Sequence, residues 1–305
     1  MLGIEEIGTY LPVGRISNYD RKAQFGIDDF FIEEKIGVRR VSVKGPEEET
    51  SDLCIRAFED LQRRTSVNKE EIEAVVVVTQ NPDYNIPHTS AIVQGKLGLP
   101  AHCAAFDISL GCSGFVYALS IFQSFMADNG LTRGLLFTAD PYSKIVDPED
   151  KNTTLLFGDG AAVTLISSAP RLVAGRFTFG TVGNEHEKLI CKDGTLFMNG
   201  RAVFNFAAKV IPDDLRRMAA KNGVNLEEID RFLIHQGSKI IVDTIASKLG
   251  LPAEKVPYST GDYGNTVSST IPILLQDELG GTARTIAICG FGVGLSWASG
   301  LLRRV

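Results

Sequence analysis

Apolar and polar residues alternate along this chain with two distinct periods. Between residues 51 and 64, Leu53, Ala57 and Leu61 recur at helical spacing, and polar Asn68-Lys-Glu-Glu-Ile72 follows. Val75-Val-Val-Val78 comes next, too short for a helix and apolar at every position. Such a run suits a strand covered on both faces. A second helix is predicted over residues 90–97, stopped by Gly98 with Pro100 beyond. Residues 104–108 read as a strand, 113–127 as a long helix and 135–138 as another strand. Residues 154–157 and 161–166 flank Gly158-Asp-Gly160, which predicts a hairpin turn able to take positive φ. The most apolar helical stretch, residues 115–126, is interrupted by Ser120, Gln123 and Ser124, so it is expected to lie in a protein core. Strands alternating with helices predict an α/β fold.

The pattern also repeats. Val67-Asn-Lys-Glu-Glu-Ile72 returns as Val224-Asn-Leu-Glu-Glu-Ile229, each leading into an apolar run. Leu97-Gly-Leu-Pro-Ala101 returns as Leu249-Gly-Leu-Pro-Ala253. A weaker pair sets the segment from Leu131 beside that from Gly281; the three offsets are 157, 152 and 150 residues. One echo could be chance, since glycine and proline often end helices. Three in one order, at a period far beyond the ~20–50 residues of solenoids, imply a duplicated domain. The expected division is 1–168 and 169–305.

Composition narrows the class. With 305 residues, 44% hydrophobic and 22% charged, the chain has the balance of a globular protein with a sizeable core. Its net charge of −6 argues against nucleic acid as a partner. No apolar run reaches the ~18 residues of a spanning helix, so no membrane partner is expected. The opening Met-Leu-Gly-Ile-Glu-Glu lacks the features of a secretory leader. Five scattered cysteines without a Cys-x-x-Cys pair fit a reducing, cytoplasmic setting and predict neither a disulfide framework nor a metal site.

Candidate chemistry concentrates at three positions. Cys112 lies in Gly111-Cys-Ser-Gly114, between a strand and a long helix. A thiol at a helix N-terminus meets the positive end of the macrodipole, which favours the thiolate. Cys54, Cys103, Cys191 and Cys289 read as buried small hydrophobes. His235 ends the Phe232-Leu-Ile run, at the strand edge where ligand sites of open α/β sheets gather, although an edge histidine can be purely structural. His102 and His186 read as solvated, and His88 as a loop or interface residue. Asn265, in Tyr263-Gly-Asn-Thr266, lies 16 residues past Leu249, whereas Cys112 lies 15 past Leu97. The repeat therefore places Asn265 near the duplicate of Cys112, and a pseudo-twofold would bring Cys112, His235 and Asn265 together. Gly290-Phe-Gly-Val-Gly294 is better suited to offering backbone N–H groups to an oxyanion than to binding a dinucleotide, because no helix with a later acidic residue follows.

With these residues in place, the chain resembles β-ketoacyl-acyl-carrier-protein (ACP) synthase III, of the thiolase superfamily. The resemblance is carried end to end by Gly8-Thr-Tyr-Leu-Pro12, Glu34-Lys-Ile-Gly-Val-Arg39, Gly111-Cys-Ser-Gly-Phe115, Phe157-Gly-Asp-Gly-Ala161, Ile234-His-Gln236, Tyr263-Gly-Asn-Thr266 and Phe291-Gly-Val-Gly294. It implies a five-layered α-β-α-β-α core built from two halves, and a two-stage reaction. Cys112 would take an acyl group from a thioester, with the backbone N–H groups of Cys112 and Val293 as oxyanion hole. Malonyl-ACP would then lose CO₂, and His235 and Asn265 would hold the enolate oxygen. Acyl-coenzyme A or acyl-ACP and malonyl-ACP would be substrates, with no permanently bound cofactor, and the partners would be the carrier protein and a second copy of the chain.

The resemblance also implies binding positions, several of them altered. Phe31 and Lys151 stand where a Trp and an Arg usually sandwich adenine, and Lys35 stands for an Arg near the phosphates. Gly200, Phe204, Gly237 and Ser238 would complete the coenzyme site, with Gly237-Ser238 replacing an Ala-Asn pair. Lys keeps charge but loses planar stacking, so weaker coenzyme A recognition or a carrier-bound donor is expected. Ile86, Tyr142 and Leu156 would line the acyl pocket, Ile86 from across a dimer interface, and a starter other than acetyl is expected. Asn205 and Ile240 stand where basic carrier-docking residues are common; Lys209, Arg216, Arg217, Lys239 and Lys248 are the candidates to replace them. Rival readings are acyl transfer to a hydroxyl or amine without decarboxylation, a cysteine hydrolase, and a non-catalytic subunit. The duplication and the complete Cys–His–Asn set speak against the last two.

Overall fold

The computed structural model describes all 305 residues. Nine strands build its main sheet: β1 (Gly3–Tyr10), β2 (Ala74–Val78), β3 (Ala104–Ile108), β4 (Arg133–Ala139), β5 (Ala161–Ser167), β6 (Leu172–Thr181), β7 (Arg231–Ile234), β8 (Thr285–Gly292) and β9 (Ser296–Arg304). They run in the order β7-β8-β9-β6-β1-β5-β4-β2-β3. β2 is parallel to β3 and β4, and β7 to β8, while the remaining pairs are antiparallel. A single pair, Ile4 with Leu172, joins β1 to β6.

Six helices cover this sheet: α1 (Thr50–Arg64), α2 (Thr89–Leu97), α3 (Gly114–Asp128), α4 (Gly200–Lys221), α5 (Lys239–Leu249) and α6 (Thr270–Leu279). α3 packs on β2 and β4 and also on β8 and β9, and α6 packs on β1 and β5 and also on β7 and β8. These two helices are therefore sandwiched between the two parts of the sheet. α1 and α2 cover the outer face of one part, and α4 covers the outer face of the other with α5 beside it. The layers alternate α-β-α-β-α.

This arrangement explains the uninterrupted valine run. Val76 and Val78 point inward, into the core that Phe115 and Phe122 of α3 share with Leu274 and Leu275 of α6. Val75 and Val77 point outward, into the core that Val93 and Leu97 of α2 share with Leu53, Phe58 and Leu61 of α1. Ile286 and Ile288 join the inner core, while Ala287, Cys289 and Phe291 join the outer one beneath α4 and α5. A strand buried on both faces has no polar period to display. The order β7-β8-β9-β6 repeats β2-β4-β5-β1, without a counterpart of the edge strand β3. The repeated Leu-Gly-Leu-Pro is a helix stop used twice: Gly98 (φ 65°) closes α2 and Gly250 (φ 67°) closes α5.

Two expectations fail. Gly158-Asp-Gly160 is not a hairpin turn. The chain leaves a short helix at Thr154, and Phe157 instead forms a parallel bridge with Asn265. A Cβ on Gly158 would lie 1.9 Å from the Tyr263 carbonyl oxygen, so close approach, not positive φ, requires this glycine. The Asp159 carboxylate is buried and accepts from the backbone N–H groups of Lys44 and Ser143. Cys191, in turn, is exposed on a small hairpin, Leu189–Lys192 with Thr195–Met198, whose short strands have only one face to bury.

Candidate active site

Cys112 sits in the turn from β3 to α3 and is 3% exposed. The backbone N–H groups of Val293 and of Cys112 itself point at its sulfur. Strand β8 ends against it so closely that a Cβ on Gly292 would meet the sulfur at 2.8 Å. The helix N-terminus alone predicts a lowered thiol pKa. Burial, with the nearby Asp140 carboxylate, instead pushes the thiol up to about 12, and the two N–H groups only partly oppose this. No cation stands beside the sulfur to tip the balance.

His235 follows β7 and is 2% exposed. Its ring stands edge-on to Phe291, 5.5 Å between centroids, and Nδ1 lies 2.8 Å from Thr270 Oγ1. Burial lowers its pKa to about 3, so the imidazole is neutral at physiological pH. Asn265 is also buried; its N–H donates to the Leu156 carbonyl, and its carbonyl accepts from Gly158 N–H. Its side-chain Oδ1 accepts the N–H of Val267 at 2.8 Å, which leaves the NH₂ face of the amide for the cavity. Val267 makes this possible with φ 55°, a left-handed conformation rare for a β-branched residue.

Cys112, His235 and Asn265 line one cavity of about 520 Å³, with Gly292 among its other walls. Twelve of its 20 lining residues are hydrophobic, so charges inside it are weakly solvated. Phe31, Lys35, Leu156, Gly200, Phe204, Gly237 and Ser238 also line it. Other expected residues lie off its wall. Lys151 places Nζ 4.9 Å from the centre of the Phe31 ring and donates to the Phe25 carbonyl. Tyr142 is buried in an apolar cluster with Cys112, its ring 4.8 Å from Phe157 and its hydroxyl donating to Gln80. Ile86 is 84% exposed and outside the cavity of a single chain. No group of three or more His, Cys, Asp or Glu side chains is arranged to hold a metal ion.

This geometry has close relatives. A family model described as 3-oxoacyl-acyl-carrier-protein (ACP) synthase III matches residues 106–183, and the model of its C-terminal part matches residues 219–304. The β-ketoacyl-acyl-carrier-protein synthase III of Lactococcus lactis subsp. lactis is 32% identical, over 98% of both chains. The corresponding crystal structure from Thermus thermophilus superposes with a TM-score of 0.93 at 32% identity, over 99% of each chain. That from Aquifex aeolicus VF5 gives 0.93 at 31% identity, over 99% of this chain and 100% of the other. The chain belongs to the 3-oxoacyl-ACP synthase III family. It is a thiolase-fold condensing enzyme, an acyltransferase of fatty acid biosynthesis.

Against the synthase III fold, three residues stand out that sequence reasoning did not single out. Thr270 holds His235 and Val267 holds Asn265; both look like ordinary members of a Val-Ser-Ser-Thr run, and only the fold brings Thr270 to residue 235. Arg201 lines the cavity without an ion-pair partner, as does Lys35. A basic residue directly after Gly200, at the start of α4, was the available signal for Arg201.

Proposed function

We propose that Cys112 is the acyl-carrying nucleophile and that His235 and Asn265 are the donors of a decarboxylative condensation with malonyl-ACP. One observation supports this reading above all: a buried thiol under two backbone N–H groups shares an apolar cavity with a neutral imidazole and an amide whose oxygen is already occupied.

In the first stage the Cys112 sulfur attacks the donor thioester. The new C–S bond forms as the donor C–S bond breaks, and the Cys112 proton leaves with the donor thiol. The N–H groups of Cys112 and Val293 hold the transient oxyanion. In the second stage the malonyl carboxylate departs as CO₂, and its electron pair passes into an enolate held by His235 and Asn265. Attack on the acyl-Cys112 carbonyl releases the Cys112 thiolate, which takes a proton from water. The apolar wall strengthens each of these hydrogen bonds by excluding water.

The apolar cavity of about 520 Å³ would take the arm and acyl end of the thioester, and the unpaired cations Lys35 and Arg201 at its wall suit the phosphates of coenzyme A or of a carrier. Phe31, with Lys151 over its ring, offers one stacked face to a base, while Gly200, Phe204, Gly237 and Ser238 line the approach. Leu156 and Phe157 bound the acyl end, and Tyr142, packed behind Phe157, restricts it to short starters. The acidic carrier would meet α4 and α5, where Lys209 and Lys248 carry no ion pair. Arg216, Arg217 and Lys239 there already pair with Asp213, Asp214, and Glu34 and Asp243. The free edge of β3, with Tyr84 and Ile86 exposed, suits a second copy of the chain. The two units of the duplication would then be 1–168, bearing Cys112, and 169–305, bearing His235 and Asn265.

Intact-mass spectrometry of the purified protein and of Cys112→Ala, each mixed with a panel of acyl-coenzyme A and acyl-ACP donors, tests the first stage. A gain of one acyl mass, only in the native protein, identifies nucleophile, starter and donor together. Absence of any adduct from folded protein refutes the reading. Release of CO₂ from malonyl-ACP separates condensation from transfer to a hydroxyl or amine.

A further inference from the structure

We propose that Thr270 is a positioning residue whose hydroxyl donates to Nδ1 of His235 and so keeps the single ring proton on Nε2, the nitrogen left for the cavity. This inference rests on the reading of His235 as a hydrogen-bond donor and supplies what makes it one.

A neutral imidazole carries one N–H, and the partner of one nitrogen decides which of the two holds it. His235 is buried, so one proton is all the ring carries near neutral pH. Its Nδ1 lies 2.8 Å from Thr270 Oγ1. Nε2 lies on the side of Gly237, where an added Cβ would come within 3.8 Å of it, and Gly237 lines the cavity. A histidine built as a general base has an acceptor at its far nitrogen, a carboxylate or carbonyl that holds the proton there and leaves the near nitrogen bare. His235 has no such group. No carboxylate hydrogen-bonds either ring nitrogen: the buried Asp140 is engaged with Gln80 N–H and the hydroxyls of Ser268 and Thr79, and the ring itself packs on Phe291.

The Thr270 hydroxyl has one proton and two places to send it. Donated to the Val267 carbonyl, 3.2 Å away, it leaves Thr270 an acceptor and puts the ring proton on Nδ1. Donated to Nδ1, over the shorter distance, it leaves Nε2–H facing the enolate position. The second arrangement matches Asn265, whose NH₂ is freed for the same position by the N–H of Val267. The left-handed residue Val267 and the first residue of α6 thus orient both donors from a single turn.

The test combines a spectroscopic and a kinetic readout. Nitrogen-15 spectra of histidine-labelled protein, with His235 assigned through His235→Ala, are expected to show Nε2 protonated and Nδ1 bare; the opposite tautomer overturns the proposal. Thr270→Val, which keeps shape and removes the hydroxyl, should lower the condensation kcat by ~10–100-fold. Cys112 self-acylation and KM for malonyl-ACP should stay within a few-fold, and Thr270→Ser should restore the rate. Unchanged kcat in Thr270→Val, or an equal loss in Thr270→Ser, refutes the hydroxyl's role. Native condensation by His235→Ala would instead sink the donor reading of His235, whatever the tautomer. If Thr270→Val fails to fold, the native spectrum and Thr270→Ser still decide.

Discussion

Cys112 and His235 meet as two uncharged groups, one held protonated and the other held unprotonated by the same burial. A thiol pushed up to about 12 beside an imidazole lowered to about 3 cannot rest as a thiolate–imidazolium pair. In the proposed reaction the sulfur would therefore lose its proton as the acyl bond forms, and His235 would enter the second stage neutral. An imidazole with its usual pKa of 6.5 would halve condensation near that pH. With His235 lowered to about 3, condensation by pre-acylated enzyme should stay flat from pH 8 down to about 5 and fall only beyond. A single-turnover pH profile of acyl-Cys112 protein checks this, and a midpoint near 6.5 that His235→Gln abolishes would contradict it. In the proposed reaction Asn265 would act on the enolate alone, since its amide oxygen is occupied by Val267 N–H. Asn265→Ala is accordingly expected to acylate Cys112 within a few-fold of the native rate while losing ~10²–10³ in condensation, the usual worth of one such donor. Equal loss in both stages, followed by intact mass and CO₂ release, would refute that division.

Among the elements, α3 has the most to hold together, because it begins just after Cys112 and packs on strands from both parts of the sheet. Phe122, fully buried, fills the space between them with Phe115, Val76 and Ile288. Phe122→Ala should destabilise the protein by ~3–5 kcal/mol, read from urea unfolding, since opposing layers cannot collapse into the gap. A loss below about 1 kcal/mol would mean the layers are not braced there. This helix was readable in advance because its period, length and glycine boundary are local properties. So were the valine strand and the two Leu-Gly helix stops. The convergence of Cys112, His235 and Asn265 was readable through the repeat, which turns one strand-to-helix turn into a map of the other. Gly158-Asp-Gly160 misled because the same letters serve a hairpin or a close approach, and the Tyr263 carbonyl that decides comes from a distant segment. Thr270 and Val267 were invisible for a related reason: their roles lie in a backbone angle and in a contact across the fold.

At the scale of the whole molecule, burying two ionisable groups at one site ties folding to pH in opposite senses. Asp140 is fully buried, and desolvation raises its carboxyl from 3.8 to about 7 despite hydrogen bonds from Gln80 and Ser268. Between those values the folded state holds a proton that the unfolded chain has lost, so this group's contribution to stability falls as pH rises. His235 works the other way. Its folded pKa of about 3 lies below 6.5, so over that interval the unfolded chain holds the extra proton, and stability rises with pH. From about pH 4 to 6.5 the two slopes oppose, each about 1.4 kcal/mol per pH unit. Asp140→Asn keeps the oxygen that accepts from Gln80 N–H and turns an NH₂ to the Ser268 hydroxyl, which can accept in its turn, while it removes the titration and leaves the histidine slope unopposed. Urea unfolding of native and variant protein across this interval, compared at each pH so that all other groups cancel, should therefore diverge. The variant should gain about 1.4 kcal/mol on the native protein for each unit of rising pH. A constant difference would mean that Asp140 stays ionised in the fold, and that its negative charge, not only burial, holds the Cys112 proton in place.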